Sequence, residues 1–287
     1  MERNYSENTV KAYNSDLAQF QQFLSKQLDQ QKVSIREINR LAIRHFLGIL
    51  HMEGYNSRSI LRKLTAIRSF CRYLCREGLL EVNPATHLMP MRWEKRLPTF
   101  LDVAQAAKVM ELPDANTALG LRDRALLELL YSTGIRLMEL VSLNLSALDL
   151  LGEVIRVRGK GKKERILPLG SKALEALAAY LPRRKELLGK GDRYSSNGLF
   201  LNYKGGRISG RSVRRIVNHY LEQVSQEEHL SPHILRHTFA THMLDAGADL
   251  RAVKELLGHA SLSSTQIYTH VTVEKLRKTY DQAHPRA

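Results

Sequence analysis

Residues 231–268 read SPHILRHTFATHMLDAGADLRAVKELLGHASLSSTQIY and gather the groups of greatest chemical interest in the chain. Two histidines and Arg236 could grip a phosphate, and Tyr268 could attack one. A guanidinium suits the first task because its planar fork meets two phosphate oxygens at once and stays charged. Phosphoryl transfer on a nucleic-acid backbone needs a nucleophile, cations for the non-bridging oxygens, a proton acceptor for the nucleophile and a donor for the leaving alcohol. The chain can supply all four without a metal or other cofactor. His233 and Arg236 are three apart and share one face of an expected helix. His233 and His237 have the spacing of metal ligands, but no suitably placed Cys or acid completes such a site. His237 and His242 are read as internal packing or hydrogen-bonding groups.

The elements that must position these residues follow from local signals. Pro232 at a first-turn position launches the helix carrying His233 and Arg236, Gly247 ends it, and Asp249–Leu257 forms another helix before Gly258 and His259. Earlier, helices are expected over Asp102–Glu111 and Leu121–Tyr131, the latter broken by Ser132, Thr133 and Gly134. Arg136 then opens a short helix, IRLMELVSL, in which Glu139 lies one turn on as a potential ion-pair partner. VIRVR and ERILPL concentrate β-formers on either side of the Gly-Lys-rich turn 159–163, a hairpin that puts Lys160 beside Lys162 and Lys163. A helix over Lys172–Leu188 is kinked at Pro182, Gly189–Asn197 reads as an exposed loop, and GLFL reads as strand. Helix Gly210–Val224 carries Arg211, Arg214, Arg215 and His219 beside Val213, Ile216, Val217 and Tyr220. After Tyr268, a short helix with Val271, Val273 and Leu276 precedes a polar tail.

Residues 1–88 read as a helical unit. Val10, Tyr13, Leu17, Phe20 and Leu24 form one apolar stripe with Ser6 as a cap, and a second helix runs through Ile35, Ile38, Phe46, Leu47 and Leu50 to Gly54. In the third, Ser57–Glu77, one stripe is apolar (Ile60, Leu64, Ile67, Cys71, Leu74). The other carries Arg58, Arg62, Thr65, Ser69, Arg72 and Arg76, flanked by Lys63 and Arg68 and almost free of acids, as a DNA-facing surface requires. A solvated charged face is the plainer account. Cys71 and Cys75, four apart on the apolar face, read as packing residues. Asn83-Pro84 ends the bundle, and residues 89–100 read as a basic linker before a second domain over 101–287.

Forty-four basic against 29 acidic residues in 287 give a net charge of +15, which implies a polyanionic partner, most often nucleic acid. No apolar run is long enough to span a bilayer and the start lacks a signal-peptide core, so the chain reads as cytoplasmic and nucleoid-associated.

Arg136 in YSTGIRLMELVSL, Lys160 in RVRGKGKKERILPL, HILRHTFATHML at 233–244, LGHASLSSTQIY ending at Tyr268 and the following THV together resemble the tyrosine recombinase (phage-integrase) family, and within it the Xer-type recombinases. The resemblance spans both domains. It implies a mainly α protein with a small β-hairpin or sheet, built as a two-domain DNA clamp: an N-terminal helical core-binding bundle and a mixed α+β catalytic domain. It makes Tyr268 the nucleophile that forms a 3′-phosphotyrosyl link, Arg136 and Arg236 the clamp on the scissile phosphate, Lys160 the proton donor to the 5′-oxygen, His233 a general acid/base and His259 a phosphate hydrogen-bond donor. It also implies a double-stranded DNA recombination site, a homo- or hetero-tetramer with a related recombinase, a final helix exchanged between neighbours, and a DNA translocase as activator. The implied role is resolving chromosome dimers at a terminus site during cell division. Integrases of phages and mobile elements often carry a further arm-binding domain; here the first helix is expected about five residues from the start, which favours the Xer reading. A type IB topoisomerase and a non-cleaving architectural DNA-binding protein are the other readings, the first disfavoured by the recombinase-like tail and the second by the filled catalytic set.

Overall fold

The computed structural model describes residues 7–30, 32–89, 100–159, 164–188, 197–225, 230–258 and 270–287, with the side chains of 8 and 270–275 excepted. The chain divides into two compact units, Met1–Arg96 and Leu97–Ala287.

In the first unit three helices, α1 (Glu7–Leu28), α2 (Arg40–Met52) and α3 (Ser57–Arg76), enclose a core of Phe20, Leu24, Ile43, Phe46, Leu50, Leu64, Ile67 and Cys71. Phe46 lies 5.1 Å from Phe20 and 5.2 Å from Phe23, centroid to centroid, so aromatic packing holds α2 to α1. The expected second helix is two pieces. A 3-10 turn at Ile35–Glu37 is closed by a capping box with Ser34, and α2 starts afresh where Asn39 accepts a hydrogen bond from Ala42 N at 2.9 Å. Val10 is exposed, so the apolar stripe of α1 begins later than its spacing suggests. Cys71 is buried and Cys75 half-buried, both as free thiols, and burial, with Cys75 beside it, pushes the Cys71 thiol up to about 11.

The basic stripe of α3 is altered by its neighbour. Asp16 of α1, 1% exposed, accepts from Lys63 Nζ at 2.9 Å and from Arg62, and Lys63 Nζ also donates to Gln19 Oε1 at 2.5 Å. Arg68 donates to the carbonyls of Ala85 (3.1 Å) and Leu88 (2.7 Å), fastening residues 83–88 onto the bundle. Lys63 and Arg68 are therefore internal fasteners, and an acid does sit against the stripe, supplied by another helix.

In the second unit, α4 (Val103–Glu111) and α5 (Ala118–Thr133) are followed by α6 (Leu137–Ser142), then by a three-stranded antiparallel sheet in the order β1 (Leu148–Asp149), β2 (Val154–Arg158), β3 (Glu164–Pro168). Helices α7 (Ser171–Arg183), α8 (Gly210–Leu221), α9 (Pro232–Asp245), α10 (Leu250–Leu257) and α11 (His270–Ala283) complete it. Buried along almost its whole length, α5 is the axis on which α4, α7 and α9 pack. It runs through Ser132 and Thr133, where a break was expected, with Thr133 Oγ1 bonded back to Leu129 O at 2.6 Å, and it stops at Gly134, whose φ of +57° is left-handed. A Cβ at Gly134 would lie 2.7 Å from Phe239 and 2.8 Å from Leu257, so this stop also sets how closely α9 and α10 approach. The β2–β3 hairpin has the expected strands, with β1 as an added edge. Pro182 is accommodated near the end of α7, which passes into a 3-10 turn over Arg184–Leu187. GLFL forms isolated bridges, Asn144 to Gly198 and Leu201 to Arg207, instead of a strand. The expected cap Ser6, the linker residues 90–99 and the loop residues 189–196 lie outside the described residues. No described helix is long and apolar enough to cross a membrane.

The end of the chain is no polar tail. Leu276, Tyr280 and Ala283 of α11 are buried in the core of their own unit. Beyond them His284 stacks on Tyr280 (4.8 Å, 9°), Arg286 Nε meets the buried Glu128 carboxylate of α5 at 3.1 Å, and Ser171 Oγ donates to Ala287 O at 2.8 Å. Val271 and Val273 fall among the residues whose side chains are not described.

Two consequences are measurable in the full chain. Asp16→Ala leaves the Lys63 ammonium buried without its counter-ion, which costs roughly 3 kcal/mol. Amide exchange in α1 and α3 is then expected to speed by on the order of a hundredfold while α5 is unchanged. Second, burial holds the His284 imidazole down to about 3. Folded His284 is therefore neutral while the unfolded chain takes a proton below about pH 6.5, so its contribution is complete above 6.5 and is lost as pH falls toward 3. Burial lowers His242 in the same direction. His284→Phe should therefore flatten, without abolishing, the decline in denaturant stability between pH 6.5 and 4.5; an unchanged slope would refute the assignment.

Candidate active site

Arg136 is the N-cap of α6, and the helix is closed at that end by Glu139, whose Oε2 accepts from Arg136 N at 3.0 Å. The same carboxylate accepts from the Arg136 guanidinium at 2.9 Å and, in a bidentate pair, from Arg165 of β3 at 2.9 and 2.8 Å. Burial alone would raise the Glu139 pKa; the bonds and charges of Arg165 and Arg136 outweigh it and hold the carboxyl at about 2. Glu139 is thus an anion throughout the working pH range. The remaining reach of the two arginines goes to the last turn of α10: Arg136 donates to Gly258 O at 2.8 Å and Arg165 Nε to Leu256 O at 3.2 Å. Gly258 is left-handed (φ +64°), and a Cβ there would lie 3.1 Å from the Arg165 guanidinium, so the C-cap and the arginine require one another's shape.

Arg236 comes from α9, which starts with Pro232 as its first residue. It donates to Leu257 O at 2.6 Å and to Gly134 O. Arg136 and Arg236, 100 residues apart in sequence, thereby bind the carbonyls of adjacent residues at one helix C-terminus, where the helix dipole favours cations. Burial first, then Arg136 and Arg165, push the Arg236 guanidinium down to about 10, which leaves it charged at neutral pH. His233 is exposed one turn before Arg236. The half-buried His237 lies edge-on to the exposed Phe100 at 6.4 Å, whereas the buried His242 shares a 2.7 Å hydrogen bond with Tyr131 OH, so His242 has the internal partner expected of it.

The structure thus brings together Arg136, Arg236 and the helix turn carrying His233. Lys160, His259 and Tyr268 lie outside the described residues, although β2 ends at Arg158 and β3 begins at Glu164 on either side of 159–163, and the C-cap of α10, Gly258, is the residue before His259. Of the six arginines expected to meet DNA, Arg211, Arg214 and Arg215 project from α8 with Val213, Val217 and Leu221 on its buried side, and Arg58 and Arg72 are exposed on α3. Arg62 is exposed but tied to Asp16 and to Ala12 O. Sequence reasoning passed over Arg165. The signal was present: Ile155, Val157 and Leu167 face inward on the hairpin, Arg165 pairs with Val157, and so a charged residue occupies an inward position.

Comparison with known proteins agrees with this architecture unit by unit. Residues 99–275 match the phage integrase family, and residues 1–78 match the phage integrase N-terminal SAM-like domain. The tyrosine recombinase XerC of Pelotomaculum thermopropionicum is 46% identical over 100% of this chain and 95% of its own length. That of Pelobacter propionicus is 48% identical over 100% of this chain and 92% of its own. Among solved structures, the XerH site-specific recombinase bound to difH substrate, in a pre-cleavage complex, superposes with a TM-score of 0.70 at 25% identity, covering 96% of this chain and 79% of that one. The Tn1549 transposon integrase in complex with transposon right-end DNA shares the fold, with a TM-score of 0.72 at 18% identity over 97% of this chain and 90% of its own. A match of this length, joined to an arginine pair gathered at one helix end, leads to one assignment: the chain belongs to the phage integrase family, as a tyrosine-type site-specific DNA recombinase of the Xer kind.

Proposed function

We propose that the chain resolves chromosome dimers by cutting and rejoining a partly palindromic site at the replication terminus. It would act in the cytoplasm, as a homo- or hetero-tetramer on DNA and under a DNA translocase. The Tyr268 oxygen attacks the scissile phosphorus and forms a 3′-phosphotyrosyl ester; the bond to the 5′-oxygen breaks, and Lys160 delivers the proton that this oxygen requires. Attack by a 5′-hydroxyl from the partner duplex reverses the step and releases Tyr268. One ester replaces another in each direction, so the exchange needs no nucleotide hydrolysis. Arg136 and Arg236 neutralise the non-bridging oxygens as charge builds on them, His233 serves as acid/base beside the tyrosine, and His259 donates to the phosphate. The observation that carries this reading is the convergence of Arg136 and Arg236 on the carbonyls of Gly258 and Leu257, the two residues that precede His259 in the sequence.

The division into a core-binding domain over 1–88, a basic linker over 89–100 and a catalytic domain over 101–287 belongs to the same reading, with the exposed arginines of α3 and α8 on the DNA backbone. So does exchange of α11, since a swapped helix can make in a neighbour the contacts it makes here in its own unit.

The test uses a nicked duplex selected from a randomised oligonucleotide pool by binding to the full chain, so that a cut strand cannot be religated. The wild type is expected to trap a covalent adduct whose DNA end identifies the site, Tyr268→Phe to trap none, and Arg136→Ala to slow trapping by roughly 10²–10³-fold at saturating DNA. An adduct retained by Tyr268→Phe removes Tyr268 as nucleophile, and no adduct from the wild type leaves a DNA-binding protein without cleavage. A recovered site belonging to a mobile element would replace the chromosomal role with integration.

A further inference from the structure

Arg165 is buried, yet its fork spends four contacts on joining three segments that each lead to a proposed catalytic group. It lies on β3 opposite Val157, one residue in from the start of the strand and five along the chain from Lys160. Its two terminal nitrogens hold Glu139, which in turn holds both the backbone N and the guanidinium of Arg136. Its Nε holds the Leu256 carbonyl, and its planar face fills the space over Gly258. Stability alone gives a poor reason for the arrangement, because a buried ion pair is often replaceable by apolar residues of similar volume without loss.

The charges give a better one. Alone with Glu139, Arg136 would face a full counter-charge and present little field to a phosphate. A second arginine on the same carboxylate restores the balance: three guanidinia against one carboxylate leave the cluster with a net positive charge that falls on the accessible Arg136 and on Arg236. The bidentate grip also fixes the plane of the carboxylate, and with it the direction in which Arg136 points. At metal sites, residues that orient charged ligands from behind in this manner affect affinity or activity by about 10–100-fold without touching the substrate, and the same scale is taken for this carboxylate-held arginine.

We propose that Arg165 is a positioning residue for cleavage: acting through Glu139, it orients Arg136 and keeps its charge available to the scissile phosphate. The proposal rests on the assignment of Arg136 to that phosphate. The test is single-turnover adduct formation by the full chain on the nicked duplex described above, at saturating enzyme, with DNA affinity measured separately. Arg165→Lys keeps the charge but cannot form the fork, and should slow adduct formation by roughly 10–100-fold with the Kd for DNA within about threefold of wild type. Glu139→Gln should be slow as well. The double variant Glu139→Gln/Arg165→Met removes both charges, avoids an uncompensated buried ion, and should be no more than about threefold slower than Glu139→Gln alone, since the path through the carboxylate is already broken. A wild-type rate for Arg165→Lys, or a further loss of about tenfold or more in the double variant, overturns the proposal while leaving the recombinase assignment intact. Failure of the wild type to form an adduct overturns both.

Discussion

Glu139 accepts four hydrogen bonds, two from Arg136 and two from Arg165, and the arrangement of the catalytic unit around α10 depends on that saturation. A carboxylate buried this deeply is tolerable only with its lone pairs filled and its charge opposed. Those partners come from the helix start beside α5, from the hairpin, and through their remaining donors from the end of α10. One acid therefore sets the relative placement of elements drawn from residues 136 to 258, and the local closure of α6 and the long-range assembly are the same set of bonds.

The C-terminus of α10 is the complementary half of the junction. Its last carbonyls have no partner within the helix, and the three that follow one another at Leu256, Leu257 and Gly258 are met by Arg165, Arg236 and Arg136 in that order. An α-helix that ends in a row of arginines places cations where its dipole favours them and holds side chains that would otherwise repel at a common distance. Gly134 and Gly258 keep the packing close, each left-handed and each with a side chain where a Cβ would stand. The result is a preformed cationic edge, which in the proposed reaction would meet the negative charge of the transition state without reorganisation.

Beyond the site, the chain end is a structural element in its own right. His284 stacks on Tyr280 and lies tilted against Tyr131 of α5, the central helix, and Arg286 meets the same helix through the Glu128 pair. An α11 that left for a neighbouring subunit would expose that surface of α5 and would carry with it groups whose burial suits only a matching socket. In the proposed tetramer this makes exchange a trade of equivalent contacts, with the core of each catalytic unit completed by a segment from another chain or from its own.

Much of this was legible from residue order. The helical period of α3, the Pro232 start of α9, the hairpin over 154–168, and the pairing of Arg136 with Glu139 are local matters, decided within a turn or two of chain by spacing, caps and β-formers. Residue types in order were also enough to place the chain in its family. What residue order could not settle was the pairing of charges across elements. Arg62, Lys63 and Arg68 share a helix with Arg58 and Arg72 and look equivalent to them, yet Asp16 and the 83–88 carbonyls claim the first three. Arg165 reads as one more cation among the β-formers that follow a basic turn until the hairpin register turns it inward onto Glu139, and Leu276 reads as one apolar residue of a short terminal helix until α11 folds onto its own core. A charged side chain in water has no preferred partner, and it acquires one only when burial removes the water; which charges are buried is a property of packing, and packing is decided by the tertiary structure.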